Sequence, residues 1–290
     1  MDQKKSSSNF DMSISSNIDM DISITCASVN DITINDISID GVSNYDISST
    51  VVSETEDIGY EEEDLSPPIL TEEDKKRSEK VIIRRSFARI KEIGEFAVDI
   101  EYLRSYSLIK DSKRPRILII HESALSPDIH SQEENMKIFS AMGHDCVAIN
   151  LPYKKRSINE LMNDHYKGFI IAQMINLLHL ENVAVIISCS NVRDIFQVLP
   201  SDRISSVIAV SAFDSLLTNE EIKLIKTPFL LMHGEKQAYI PFGHRQLKVF
   251  LPNKKEVCVP GGYMECYKPN PEIFQNIVLR WFIYAEKAFQ

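Results

Sequence analysis

The feature that most constrains this chain is a series of short, unbroken apolar runs separated by stretches of helical periodicity. The runs are Arg116-Ile-Leu-Ile-Ile-His121, Asp145-Cys-Val-Ala-Ile-Asn150, Val183-Ala-Val-Ile-Ile187, Val207-Ile-Ala-Val210 and Phe229-Leu-Leu-Met232. A strand with one wet face alternates apolar and polar residues. Four or five apolar residues in succession, with no polar position among them, suit a strand covered on both faces. Between the runs lie helix-like segments. Ser131 to Met142 is stopped by Gly143, at the position where a helix end favours glycine. Ser157 to Leu180 carries Ile158, Leu161, Met162, Phe169, Ile170, Met174, Leu177 and Leu178 at helical spacing. Shorter helices are expected at Arg193–Leu199 and Asn219–Ile225, and a closing one at Pro271–Ala288, with proline in its first turn. Val81-Ile-Ile and Glu95 to Leu103 read as early strands of a hairpin or meander, and Val257-Cys-Val259 as the last strand. Such alternation predicts right-handed βαβ units. The expected fold class is α/β, a mainly parallel, doubly wound sheet with helices on both faces.

The front of the chain has a different texture. Residues 1–80 hold 19 acidic and 6 basic residues, a balance of −13, and the other 210 residues are nearly neutral at +3. Asp, Ser, Asn, Thr and Ile dominate. A loose unit recurs as Asp21-Ile-Ser-Ile, Asp31-Ile-Thr-Ile, Asp36-Ile-Ser-Ile and Asp46-Ile-Ser, without a fixed period. Few aromatic or long aliphatic residues are present to offset the entropy of ordering. The expected organisation is a disordered acidic tail over 1–80, open to use as a docking arm, followed by one domain over 81–290.

Composition narrows the partners. A near-neutral domain has no large basic face for phosphates, so no nucleic acid is expected. No run of 18 or more apolar residues occurs and no apolar core follows Lys4-Lys5, so neither a membrane span nor a signal peptide is expected. Five cysteines without C-x-x-C spacing read as ordinary thiols in a reducing compartment. The expectation is a soluble monomer in the cytoplasm or nucleus, with no cofactor and no metal. Its seven histidines are scattered and lack H-x-x-x-H spacing.

Ligands of a doubly wound sheet gather at the carboxyl ends of its strands. Those ends are His121, Asn150–Pro152, Ser188–Ser190, Ser211–Asp214 and His233–Gln237. Ser188-Cys189-Ser190-Asn191-Val192 directly follows a buried strand, as a nucleophile elbow does. Ser190 takes the nucleophile position there. The plainer alternative is that Ser190 caps the helix that follows.

In order, these strand ends resemble the α/β-hydrolases. Leu118-Ile-Ile-His121 resembles "LLLHG", and Gly143-His-Asp-Cys-Val-Ala-Ile-Asn-Leu-Pro152 resembles "GYRAVAIDLPG". Lys226-Thr-Pro-Phe-Leu-Leu-Met-His-Gly234 resembles "VKTPALIVYG". Leu251-Pro252-Asn253, then Gly261-Gly-Tyr-Met-Glu-Cys-Tyr267, resembles "LPN…GAGHPCY". The series is most similar to abhydrolase-domain family fourteen, small intracellular hydrolases for which acyl transfer or protein-lysine deacetylation has been proposed. That resemblance implies an α/β-hydrolase fold and an S-x-S-x-S elbow, from which Val192 departs with β-branched bulk. It puts Gln237 at the acid position and Met264 at the base position. Glu122, Ser123 and Asn191 fall at oxyanion or pocket positions, and a carboxylate at 122 opposes a developing oxyanion. Neither an amide nor a thioether can do the work of the acid and base that activate a serine. Two functions follow. One is a pseudohydrolase that binds a small acyl ligand or a protein partner. The other is a serine hydrolase or deacylase in which Glu235 or His233 has taken over a lost role.

Overall fold

The structure is a computed structural model that describes residues 69–93, 96–121, 129–151, 166–264, 266 and 268–289. The acidic tail through residue 68 lies outside the described residues. So do Glu122 and Ser123. Eight strands form one sheet in the order β1-β2-β4-β3-β5-β6-β7-β8. They are β1 (Arg84–Ile93), β2 (Phe96–Ser105), β3 (Arg116–His121), β4 (Cys146–Asn150), β5 (Val183–Ser188), β6 (Ile204–Val210), β7 (Phe229–Gly234) and β8 (Lys254–Val259). β1 pairs with β2, and β2 with β4, in antiparallel fashion; all other pairs are parallel. The expected early hairpin is present. Its first strand begins at Arg84 rather than Val81, because Val81 is buried while Ile82 is exposed, and the segment joins the sheet only afterwards.

The apolar runs divide by a period of two. Leu118, Ile120, Val185, Ile187, Val207, Ala209 and Leu231 pack on one face. Ile117, Ile119, Ala184, Ile186, Ile208, Val210 and Met232 pack on the other. Helices α3 (Tyr166–Leu177), α4 (Val192–Ile195), α5 (Asn219–Lys223) and α6 (Phe242–Phe250) pack on the first face through residues such as Met174, Ile195, Ile222 and Leu247. α2 (Glu133–Ala141) and α7 (Pro271–Ala288) cover the second through Phe139, Phe274 and Trp281. Each fully buried aliphatic side chain contributes roughly 1.5–3 kcal/mol, so both faces have a reason to stay covered. Gly143, at φ +100°, ends the α2 segment as expected.

Composition misplaces one boundary. Residues 69–80 belong with the described fold rather than with the tail. Thr71 and Asp74 form a reciprocal cap on α1 (Glu72–Ser78). Asn276 Oδ1 on α7 accepts from the backbone N–H of Ile69 at 2.9 Å and of Leu70 at 3.0 Å. Leu70 itself is 5% exposed and packs in the second-face core. The polar composition of the helix draws attention away from the apolar pair just before it, Leu70 and the partly buried Ile69, which packs against the same core.

His144, between α2 and β4, is a buried histidine held neutral. Its ring packs 4.9 Å from that of Phe282, and Nδ1 lies 2.7 Å from the Pro115 carbonyl, to which it donates. Burial, helped by the charge of Arg114, lowers its pKa from 6.5 to about 4, against the Pro115 hydrogen bond and Asp145. The unfolded chain takes up a proton near pH 6.5 that the folded one refuses. Stability from this group is therefore complete above pH 6.5 and is lost as the pH falls towards 4, by about 3 kcal/mol. In urea melts over that range, His144→Gln, which keeps a donor but does not titrate, is expected to show a correspondingly shallower decline than the parent.

Candidate active site at the strand ends

β5 leads directly into a single 3-10 turn, Cys189–Asn191, and then into α4. The left-handed residue of this strand-to-helix turn is Cys189, at φ +54°. A non-glycine residue there is strained, and such strain marks the apex of a nucleophile elbow. The left-handed apex therefore lies one residue before Ser190, which the sequence pattern placed at the nucleophile position. Cys189 is only 1% exposed, whereas Ser190 is partly exposed. Val192 does not distort the turn. As the first residue of α4 it faces inward and packs in the core cluster with Ile170 and Ile195. The N-cap of α4 is Asn191, without a side-chain cap, so the capping role considered for Ser190 is not observed.

Asn191 is buried and committed at both ends of its amide. Lys167 Nζ donates to its Oδ1 at 2.7 Å, and its Nδ2 donates to the His121 carbonyl at 3.5 Å. It thus ties the end of β3 and helix α3 to the elbow. Lys167 also stands 3.9 Å from the fully buried carboxylate of Asp194, as does Arg193 Nε. Asp194 and Lys167 were not anticipated. Their only sequence signal is a charge set among apolar residues of a helical pattern.

The loops after β7 and β8 are joined by hydrogen bonds. Glu235 N–H donates to the Val259 carbonyl at 3.0 Å, Lys236 N–H to the Gly262 carbonyl at 2.8 Å, and Gly261 N–H to Glu235 Oε2 at 2.8 Å. Gly234 permits this approach, since a Cβ there would stand 2.2 Å from the Gly262 carbonyl oxygen. The contact brings Gln237 and Met264 to one group. The Ser211 hydroxyl lies 3.0 Å from Gln237 Oε1 and 2.9 Å from the Met264 carbonyl. One hydroxyl proton serves one acceptor at a time. Both contacts are satisfied when Ser211 donates to Met264 and the Gln237 amide turns its NH₂ to the hydroxyl oxygen. Ser211 ends β6 in a left-handed conformation, φ +51°, and two residues on Phe213 N–H reaches the Cys189 carbonyl at 3.4 Å. The loop 211–213 therefore connects the elbow to the residues expected at the acid and base positions. The sulfur of Cys266, beside them, donates to the Tyr263 carbonyl, and burial pushes its thiol up to about 12.

The substitute partners are engaged elsewhere. Glu235 is bonded to Gly261, and His233 faces His244 and Glu256 on the α6 side of the sheet. Of the other described histidines, His130 pairs with Glu133, His144 bonds Pro115, and His179 is exposed just past α3. His121 ends β3, wholly buried.

The architecture is an α/β-hydrolase fold. A predicted CIB-like hydrolase from Thermoplasma acidophilum is similar over 69% of this chain and 98% of its own, at TM-score 0.54 and 16% identity. A serine hydrolase from Cycloclasticus zankles is similar over 69% and 98%, at TM-score 0.54 and 11% identity. Naproxen esterase from Bacillus subtilis is similar over 74% and 100%, at TM-score 0.57 and 14% identity. At these identities the likeness is one of fold. No protein-family model matches the sequence, and no curated protein sequence matches it significantly.

Because Gly234 sets the spacing of the two loops, Gly234→Ala is expected to force them apart. A loss of about 1–3 kcal/mol or more is expected from this overpacking against backbone, read as a lowered urea midpoint at unchanged slope.

Proposed function

We propose that this chain is an α/β-hydrolase-fold protein that has lost triad chemistry and acts by binding a small acyl ligand or a protein partner. The observation that carries the reading is the meeting of Gln237 and the Met264 backbone at the Ser211 hydroxyl. In a working triad the same region holds a carboxylate and an imidazole in series with the nucleophile. Here the hydrogen bonds are made by a neutral amide, a hydroxyl and a peptide carbonyl. None of these takes a proton at neutral pH. Loss of the base removes on the order of 10⁴–10⁶ of a triad's rate. Binding is supported by the rim of the same edge, where Leu216, Tyr239, Phe242 and Tyr263 are large, apolar and exposed. On the Leu251-Pro-Asn253 and Cys266-Tyr267 marks, the branch proposed is abhydrolase-domain family fourteen.

One observation favours a second reading. The strained apex is a cysteine, so a thiol rather than a serine would be the nucleophile of a residual hydrolase. A fluorophosphonate probe on the full chain, with Ser190→Ala and Cys189→Ser beside it, separates the cases. No labelling is expected. Robust labelling abolished by Ser190→Ala would overturn the binding reading in favour of a serine hydrolase, and labelling abolished by Cys189→Ser would establish the thiol. A related outcome follows from burial. Under native conditions a small alkylating reagent should modify exposed Cys258 and leave Cys146, Cys189 and Cys266 protected until the chain unfolds, as peptide mapping would show.

A further inference from the structure

On the α6 side of the sheet, three side chains from three elements converge. His233 comes from the end of β7, His244 from α6 and Glu256 from β8. One ligand atom of each lies within 4.8 Å of the other two, the only such group of three among the described residues. His244 Nε2 is 3.1 Å, and His233 Nδ1 3.7 Å, from the same oxygen, Glu256 Oε1. We propose that these three residues form a binding site for a divalent first-row transition metal, zinc above all.

The donor set points to zinc. Two imidazoles and one carboxylate, with a fourth position open, are a recurrent zinc arrangement. A tetrahedral ion held about 2.0–2.2 Å from each donor requires donors about 3.3–3.5 Å apart. The separations of 3.1 and 3.7 Å bracket that spacing, so small side-chain rotations close the cluster. The protein-only contacts leave a deficit that an ion would remove. His244 uses Glu256 Oε1 as its hydrogen-bond partner, and His233 Nδ1 is buried with no hydrogen bond. Both imidazoles face one carboxylate oxygen, and at 3.7 Å His233 Nδ1 lies beyond hydrogen-bond distance of it, within reach of a shared cation. His244 is fully buried, while the side chains of His233 and Glu256 retain 14% and 20% exposure. The open position therefore lies towards solvent.

The carboxylate of Glu256 has a further partner. Lys248 Nζ binds the other oxygen, Oε2, at 2.6 Å. It leaves Oε1 to the histidines and fixes the plane of the carboxylate, as partners of metal ligands do.

The test uses the full chain, freed of metal with a chelator, and titrated calorimetrically with zinc ion. Thermal melts with and without zinc provide a second measure, because an ion that binds only the folded state raises the melting temperature. One equivalent should bind and stabilise the protein. His233→Gln and Glu256→Gln, each shown by circular dichroism to be folded, should weaken binding at least about tenfold and lose the thermal shift. His130→Gln, at an exposed pair elsewhere, should retain both. Cobalt in place of zinc should show the visible bands of nitrogen and oxygen ligation. Absence of binding, binding unchanged in both folded variants, or a cobalt spectrum dominated by thiolate charge transfer would overturn the site. If both variants fail to fold, stoichiometric zinc binding by the parent with a nitrogen–oxygen cobalt spectrum supports it, and absence of either overturns it. The outcome is independent of the probe labelling at Ser190 and Cys189.

Discussion

The burial of one sheet on both faces sets where polar groups of its central strands can stand. The central strands β3, β5, β6 and β7 place alternate side chains into two separate cores, and both are apolar. A charge on such a strand would lose its hydration without a partner, at a cost of several kcal/mol. On these central strands chemistry-bearing groups therefore stand at the strand ends, while the outer strands β1, β2 and β8 carry charges along their length. The parallel arrangement adds direction, because all the crossovers return to the same end, and the carboxyl termini of the six strands β3 to β8 open onto one edge.

That edge is held by backbone more than by side chains. The strained turns at Cys189 and Ser211, the close approach of Gly234 to Gly262 and the bond from Phe213 to Cys189 bring four loops together. Strain of this kind persists only where surrounding packing over-determines it. Here Val192 and Ile195, anchored in the core just past the elbow, supply the packing. Asp194 is the exception to the apolar rule, and it is compensated by two cations, Lys167 and Arg193. Next to the elbow, Gln237 and the Met264 carbonyl meet at the Ser211 hydroxyl through uncharged groups.

The fold was legible to a large degree because its signal is local. Continuous apolar runs mark strands covered twice, Gly143 marks a helix end, and Pro271 opens the last helix at the residue expected. The tail boundary was not legible. Ile69 and Leu70 are two apolar residues before a polar, charged segment, and docking against α7 through Asn276 places Leu70 in the core. At the site, Ser211, which no motif singled out, is the group that Gln237 and the Met264 carbonyl both contact. The register of the elbow was not legible either, since spacing alone cannot tell which of two adjacent residues turns left-handed. Glu122 and Ser123 lie outside the described residues, and their oxyanion role stays with the sequence.

By itself the sequence determined the class of the sheet, the order of its elements and which chemical groups stand at the strand ends, because periodicity and residue identity are properties of the chain. Tertiary structure decided which of those groups meet. It put the left-handed apex on Cys189, bound Ser211 between Gln237 and Met264, and gathered His233, His244 and Glu256 from three elements. Their positions, 11 and 23 residues apart at the extremes, carry no metal spacing in one dimension. Convergence of that kind depends on crossover geometry and packing distance, which no linear pattern encodes.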